Sequence, residues 1–154
     1  MKARIPDYPR AAPDAFKAML ALSAATKNSG LESKLLEIVK TRASQINGCA
    51  YCLDMHTQDA RALGETEQRI NLLAAWREAP FYTDRERAAL SWTEAVTRIA
   101  DTHVPDDVYD EVRAHFSEKE TVDLNWAVVA INAWNRIAVS FRIPAGTYTP
   151  PKKS

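Results

Sequence analysis

Apolar residues recur every three or four positions along most of the chain, which is the spacing of amphipathic α-helices. Turn and cap signals separate seven such stretches. Alternation of apolar and polar positions never persists, so no strand is expected. The sequence therefore predicts a compact all-α fold of about seven helices, near residues 14–28, 32–46, 49–63, 66–76, 83–100, 105–116 and 118–141.

Two of the predicted helix starts carry a capping box, in which a Ser or Thr is followed three residues later by Glu. Thr83 and Glu86 begin the fifth helix, and Ser117 and Glu120 begin the last and longest one. In this arrangement each side chain bonds to a backbone N–H of the other residue, so both ends of the motif are satisfied.

The parts of the chain outside the helical pattern lie at its ends. At 154 residues the chain has the length of one domain, and we assign residues 1–154 to a single domain. Pro6, Pro9 and Pro13 predict an extended arm over residues 1–13, placed on the surface or on a neighbouring subunit. Residues 144–154 are expected to form a tail. The helical faces are more apolar than a small bundle needs, which favours a homo-oligomer.

The composition limits the classes of partner. The hydrophobic fraction is 46% and the formal net charge is zero, so nucleic acid and anionic membranes are not expected partners. The sequence has no long apolar run and no signal-peptide pattern. We therefore expect a cytoplasmic protein. Two cysteines three positions apart are a poor structural staple, but in a reducing cytoplasm they suit a redox or metal pair.

Both cysteines fall in one short stretch. The turn signal Asn47-Gly48 should end one helix, and the next should begin at or near Cys49. Cys52 and His56 are then i and i+4, and Cys49 is i−3 from Cys52, so all three should share one helical face. The helix N-terminus and a proton-accepting histidine both favour a thiolate. The second cysteine can close a disulfide within the turn, so the pair can cycle between dithiol and disulfide.

Other uses of these residues remain open at this point. The cysteines could be two small buried hydrophobic side chains, or they could bind a metal. A structural zinc site needs four ligands, and this segment supplies three at most. His103 and His115 lie elsewhere and are expected on the surface. We therefore expect neither a metal nor a cofactor.

The spacing Glu37-x11-Cys49-x2-Cys52-x3-His56 resembles the carboxymuconolactone decarboxylase superfamily, and more narrowly its alkyl hydroperoxidase D-like branch. The signature covers residues 32–64, and the helical pattern outside it fits the family fold. The resemblance implies a thiol peroxidase that assembles as a trimer or hexamer. It further implies that Cys52 is the peroxidatic cysteine, that Cys49 resolves it, and that His56 and Glu37 form a proton relay.

The resemblance also implies the partners. The substrate would be a small hydroperoxide, and the reductant a dithiol such as protein-bound lipoamide or a thioredoxin-like protein. Two alternatives stay open: a lyase of the decarboxylase kind, which has no use for a dithiol, and a non-catalytic redox-sensing helical module. Three of the four tryptophans are expected in the core or an interface, where they could also line an apolar approach for an organic hydroperoxide; these three are Trp92, Trp126 and Trp134.

The position of Glu37 raises a geometric condition. Leu35, Val39 and Ala43 mark the core side of the second predicted helix, and Glu37 points almost the opposite way. Glu37 can therefore reach His56 only if this helix is covered on both sides. Later helices of the chain or a neighbouring subunit could provide that cover.

Overall fold

A computed structural model of the protein describes residues 2–151, which form nine α-helices and no strand. The predicted all-α class is confirmed. A single 3₁₀ turn at Leu73–Ala75 follows α5. The helices are α1 Tyr8–Ala11, α2 Pro13–Lys27, α3 Ser33–Asn47, α4 Ala50–Ala62, α5 Glu67–Leu72, α6 Asp84–Thr97, α7 Ile99–Thr102, α8 Asp106–His115 and α9 Glu118–Phe141.

The number of helices differs from the predicted seven because two short ones were not expected. Helix α7 arises because the chain leaves helical geometry at Arg98, so the predicted helix 83–100 ends at Thr97. Helix α1 lies inside the arm, which is therefore not fully extended as predicted. Both have four residues, too short for a periodic apolar pattern to reveal them.

Both predicted capping boxes are confirmed. The Thr83 hydroxyl accepts from the Glu86 backbone N–H, and the Glu86 carboxylate accepts from the Thr83 N–H at 2.8 Å. The Ser117 and Glu120 pair repeats this arrangement at the start of α9, with the Ser117 N–H 2.8 Å from the carboxylate. Local sequence signals therefore fix the starts of the two helices that pack against α3 from the second half of the chain.

Helix α3 is the centre of the molecule, since it packs against α4, α6 and α9. Its side chains are buried along most of the helix, and Val39 is fully buried together with Leu90 of α6 and Val128 of α9. The sequence required cover on both sides of this helix if Glu37 is to reach His56. Helices of the same chain provide cover on more than one side of α3, and Glu37 is buried. Among residues 2–151, none of the helices has the length and hydropathy that crossing a bilayer requires.

The arm and the tail both pack on the helices of their own chain. The Arg4 N–H donates to the Phe141 carbonyl at the end of α9, at 2.8 Å. The Tyr8 ring lies 5.7 Å from the Phe16 ring and 5.5 Å from the Phe141 ring, measured between centroids. In the tail, the Tyr148 hydroxyl donates to Asp59 of α4 at 2.7 Å. Residues 152–154 of the predicted tail lie outside the described residues.

Candidate active site

The two cysteines lie where α4 begins. Gly48 ends α3 in the left-handed region, at φ 63°, and this confirms the predicted turn. Cys49 follows with extended backbone and is the N-cap of α4, where its sulfur accepts from the Cys52 N–H at 3.4 Å. Both side chains are free thiols and 1% exposed. Cys52 and His56 lie one turn apart in α4 as predicted, whereas Cys49 precedes the helix.

Glu37 and His56 form a buried pair between α3 and α4. His56 Nδ1 lies 2.7 Å from Glu37 Oε2, and the Lys40 ammonium donates to the other carboxylate oxygen at 2.8 Å. An ionised carboxylate only accepts hydrogen bonds, so Nδ1 carries the proton and Nε2 of a neutral imidazole is left as a proton acceptor. His56 is 7% exposed and Glu37 8%. The geometry therefore allows the pair to act as an oriented base.

The Glu37 carboxylate stays ionised despite its burial. Burial, the largest single influence, would raise the pKa of Glu37. The hydrogen bond and charge of His56, together with the charge of Lys40, outweigh it, and the pKa of Glu37 lies below its usual value. Lys40 was not among the residues singled out by the sequence. Its i+3 relation to Glu37 is the signal that could have found it.

Each of the two thiols shifts the pKa of the other. The pKa of Cys49 is lowered to about 6, first because its sulfur accepts a hydrogen bond from the Cys52 thiol. Burial opposes this shift, while the backbone N–H groups of Cys52 and Tyr51 support it. The pKa of Cys52 is raised, because its thiol donates to Cys49, because it is buried, and because the Cys49 charge repels a second thiolate. In the reduced pair the negative charge therefore rests on Cys49.

A cavity of about 310 Å³ opens onto Cys52 and His56. Its wall is mainly apolar and aromatic and includes Phe16 of α2 and Trp134 of α9. The Tyr8 ring of the arm lines it as well. Cys49 is not among the residues that line this cavity; it lines a separate cleft at the start of α4. The cavity can hold an organic molecule of moderate size with its reacting atom at Cys52.

The three tryptophans singled out in the sequence have separate environments. Trp92 is buried in the core, as predicted. Trp134 lines the cavity, and its indole N–H donates to the Ser23 hydroxyl at 2.7 Å. Trp126 is 51% exposed and lies between exposed Val122 and Val129 on α9.

A polar network that the sequence analysis missed supports the dithiol. Asn135 of α9 is 1% exposed; its side chain accepts from the Asn47 amide at 2.9 Å and donates to the Ser44 hydroxyl at 3.0 Å. A hydrogen bond from Asn135 also lowers the pKa of Cys49, although less than the Cys52 thiol does. Asn at i and i+3 in an otherwise apolar helix face, here with Asn132, is the sequence signal that could have indicated this network.

Glu37, His56 and Asp59 each offer one ligand atom within 4.8 Å of the others, so they could in principle surround a metal ion. Their atoms already have partners within the chain. Glu37 is bonded by His56 and by the Lys40 ammonium, and Asp59 accepts from the Tyr148 hydroxyl. A lysine cation beside the carboxylate opposes a metal cation, so the arrangement fits a proton relay better than a metal centre.

Comparison with known proteins identifies the family. The sequence model of the carboxymuconolactone decarboxylase family matches residues 13–95, and the chain belongs to that family. The uncharacterized protein YdfG of Bacillus subtilis is 47% identical to it over 133 residues, which are 86% of this chain and 90% of that protein.

Among solved structures, the chain is similar to proteins of the AhpD-like branch of this family. A protein of unknown function from Agrobacterium tumefaciens, described as a candidate antioxidant defence protein AhpD, is 51% identical with a TM-score of 0.91, over 96% of this chain and 100% of that one. An uncharacterized peroxidase-related protein with an alkylhydroperoxidase AhpD core, from Ralstonia eutropha JMP134, is 21% identical with a TM-score of 0.79. It covers 94% of this chain and 77% of its own, and its likeness shows the fold alone.

Proposed function

We propose that the protein is a thiol-dependent peroxidase that reduces organic hydroperoxides through a Cys49–Cys52 dithiol and disulfide cycle. One observation carries this proposal: Cys52 and His56 line the same cavity, and buried Glu37 holds His56 with Nε2 free. Membership of the family and the likeness to AhpD-related structures support an antioxidant, peroxidase-related activity.

We assign the attack on the peroxide to Cys52 because of its position at the cavity. The charge of the reduced pair rests on Cys49, but the cavity opens onto Cys52. To attack, the Cys52 thiol turns its proton from Cys49 to His56, which lies one turn further along α4 and lines the same cavity, and His56 takes the proton. Glu37 stabilises the imidazolium that forms, because its carboxylate lies against Nδ1.

The oxidation proceeds in two balanced steps. The Cys52 thiolate attacks the terminal peroxide oxygen, the O–O bond breaks, and an alkoxide leaves that takes the proton from His56 and departs as the alcohol. Cys52 is then a sulfenic acid. The Cys49 thiolate attacks its sulfur, the S–O bond breaks, and the leaving hydroxide takes a proton from solvent and departs as water. The products are an alcohol, water and the disulfide, which an external dithiol returns to the reduced pair.

Trapping experiments test the roles of the two cysteines. In a Cys49→Ser variant treated with an organic hydroperoxide, a sulfenic-acid reagent should label Cys52, as read by mass spectrometry. The matched Cys52→Ser variant should resist oxidation at Cys49. Oxidation of Cys49 in the second variant, with Cys52 unmodified in the first, reverses the assignment.

A kinetic experiment tests the base and the class of protein. His56→Ala should slow thiol oxidation at neutral pH by about 10²–10⁴-fold, the usual contribution of general-base help. Equal rates in wild type and variant exclude the relay.

Continuous consumption of hydroperoxide with a dithiol reductant separates an enzyme from a redox-sensing module, which would be oxidised once and stop.

A further inference from the structure

The two cysteines of the site line different spaces. Cys52 lines the apolar cavity, whereas Cys49 lines a cleft of about 410 Å³. Tyr51, Ala138 and Ile143 line both spaces and separate them. A molecule in the cleft therefore approaches Cys49, and a molecule in the cavity approaches Cys52. A disulfide between the two cysteines would therefore border two spaces, one beside each residue.

The cleft is cationic. Arg4 of the arm and Arg142, directly after α9, both line it and are exposed, and no acidic side chain is among the described residues of its wall. The Arg4 guanidinium donates to the Ser140 carbonyl at 3.1 Å. The Arg142 guanidinium has no hydrogen-bond acceptor within reach among residues 2–151. The N-terminus of α4, where Cys49 lies, adds further positive potential.

We propose that this cleft is the reductant site, and that it takes a small dithiol whose chain ends in a carboxylate. The carboxylate pairs with Arg142 and Arg4, and the thiol end reaches Cys49 while the hydroperoxide uses the cavity on the other side. The inference rests on the proposed function in one respect, the formation of the Cys49–Cys52 disulfide. It adds three things to that function: the reductant enters through the cleft, it attacks the Cys49 sulfur, and it carries a negative charge.

The exchange balances in two steps. A thiolate of the reductant attacks Cys49 Sγ, the Cys49–Cys52 bond breaks, and Cys52 leaves as a thiolate that takes up a proton. The second thiol of the reductant, as a thiolate, then attacks the reductant sulfur that is bonded to Cys49. The mixed disulfide breaks, and Cys49 leaves as a thiolate. Two electrons pass to the cysteine pair, and the reductant becomes a cyclic disulfide. The donors at Cys49 stabilise its thiolate, which favours its departure in the second step. In the first step the raised pKa of Cys52 makes it the poorer leaving group, so access through the cleft, and not leaving-group strength, directs the attack to Cys49.

Two probes that differ at one group test the charge. Dihydrolipoate carries a carboxylate, and dihydrolipoamide has the same dithiol with a neutral amide. The disulfide is formed with diamide, and its reduction is followed by tryptophan fluorescence at low ionic strength. We expect dihydrolipoate to react faster, and Arg142→Gln to lower the ratio of the two rate constants about three- to fivefold, as loss of one exposed ion pair allows.

Two matched variants control this measurement. Arg142→Lys keeps the charge and should restore most of the ratio. Arg98→Gln removes an exposed arginine that lines neither the cavity nor the cleft, and should leave the ratio unchanged. Equal rates for the two probes in wild type, or the same ratio in wild type and Arg142→Gln, overturn the proposal.

A trapping experiment tests which sulfur is attacked. The oxidised protein is mixed with 3-mercaptopropionate, a carboxylate monothiol that cannot complete the second step, and quenched with acid. Peptide mapping should find the adduct on Cys49, and an adduct on Cys52 overturns the proposal. Because diamide makes the disulfide, these outcomes do not depend on peroxidase activity. A protein that fails to react with hydroperoxides but shows the charge preference contradicts the proposed function alone.

Discussion

The substitution Glu37→Gln isolates the charge of the buried relay. Glutamine has the same shape and keeps one oxygen that can accept from His56 Nδ1, while its NH2 group then faces Lys40 and cannot accept from the ammonium. It removes the negative charge that faces both His56 and Lys40, at 2.7 and 2.8 Å. The cavity and the position of Cys52 should be unaltered. A change in rate therefore reports the charge of residue 37 and not its packing.

The size of the effect follows from comparing a hydrogen bond to the Glu37 carboxylate with a hydrogen bond to a neutral amide. A hydrogen bond to a charged group contributes about 1.5–3 kcal/mol, and a neutral one about 0.5–1.5. The imidazolium of His56 thus loses about 1–1.5 kcal/mol of stabilisation, which corresponds to about tenfold in an equilibrium. The proton is partly transferred in the transition state, so oxidation of Cys52 should slow about three- to tenfold. That effect is smaller than the one expected for His56→Ala.

Stability should also change, with a defined pH dependence. The folded pKa of Glu37 lies below its ordinary value of 4.5, so the carboxylate stabilises the fold above that value. This contribution is lost as the pH falls through the folded pKa. The free energy of unfolding of Glu37→Gln should therefore be lower than that of wild type by about 1–3 kcal/mol at neutral pH, and the gap should shrink in acid.

Stopped-flow fluorescence under excess hydroperoxide gives the oxidation rate, and urea unfolding at several pH values gives stability. Glu67→Gln is the matched control, because it removes a carboxylate from an exposed ion pair with Arg61. Its oxidation rate should equal that of wild type. A wild-type oxidation rate in Glu37→Gln, together with a lower stability, refutes the relay and leaves Glu37 a structural residue.

Three further predictions concern other parts of the molecule. Thiolate absorbance of the reduced protein should rise with a midpoint near pH 6 for one sulfur, as the lowered pKa of Cys49 requires, and a Cys52→Ala variant should shift that midpoint upward because its strongest donor is lost. Glu94→Ala should destabilise the fold by about 3–5 kcal/mol in urea unfolding, because Arg42, 2.7 Å from the buried carboxylate, is left unpaired. Light scattering should give the mass of a trimer or hexamer, and Trp126→Glu should reduce it if the exposed stripe of α9 forms the contact; a stable single chain with full peroxidase activity contradicts the expected assembly.

Local signals predicted most of the fold. Cap residues such as Thr83 and Ser117 satisfy backbone groups within their own turn, so they act before any tertiary contact forms. The predicted helix 66–76 was less accurate, since it ends at Leu72 and continues as a 3₁₀ turn. Its end depends on how Leu73 and Trp76 are buried against the rest of the chain, which spacing alone does not encode.

The candidate site was also predicted only in part from local sequence. Motif spacing brought Cys49, Cys52 and His56 together, but the conformation of one residue decides which space each sulfur reaches. Cys49 is extended rather than helical, and this separates it from the cavity. The contact of Asn135 with Asn47 joins residues 88 positions apart and needs the crossing of α3 and α9. No local pattern encodes such a crossing.

The use of the Cys49 sulfur as a helix cap couples chemistry to local order. In the reduced protein this sulfur accepts from the Cys52 N–H and satisfies one of the free donors of the first turn. A disulfide sulfur carries no negative charge and is a poorer acceptor. Each oxidation should therefore loosen the first turn of α4, and each reduction should tighten it. The exchange rate of the Cys52 amide hydrogen becomes a measure of the redox state of the pair.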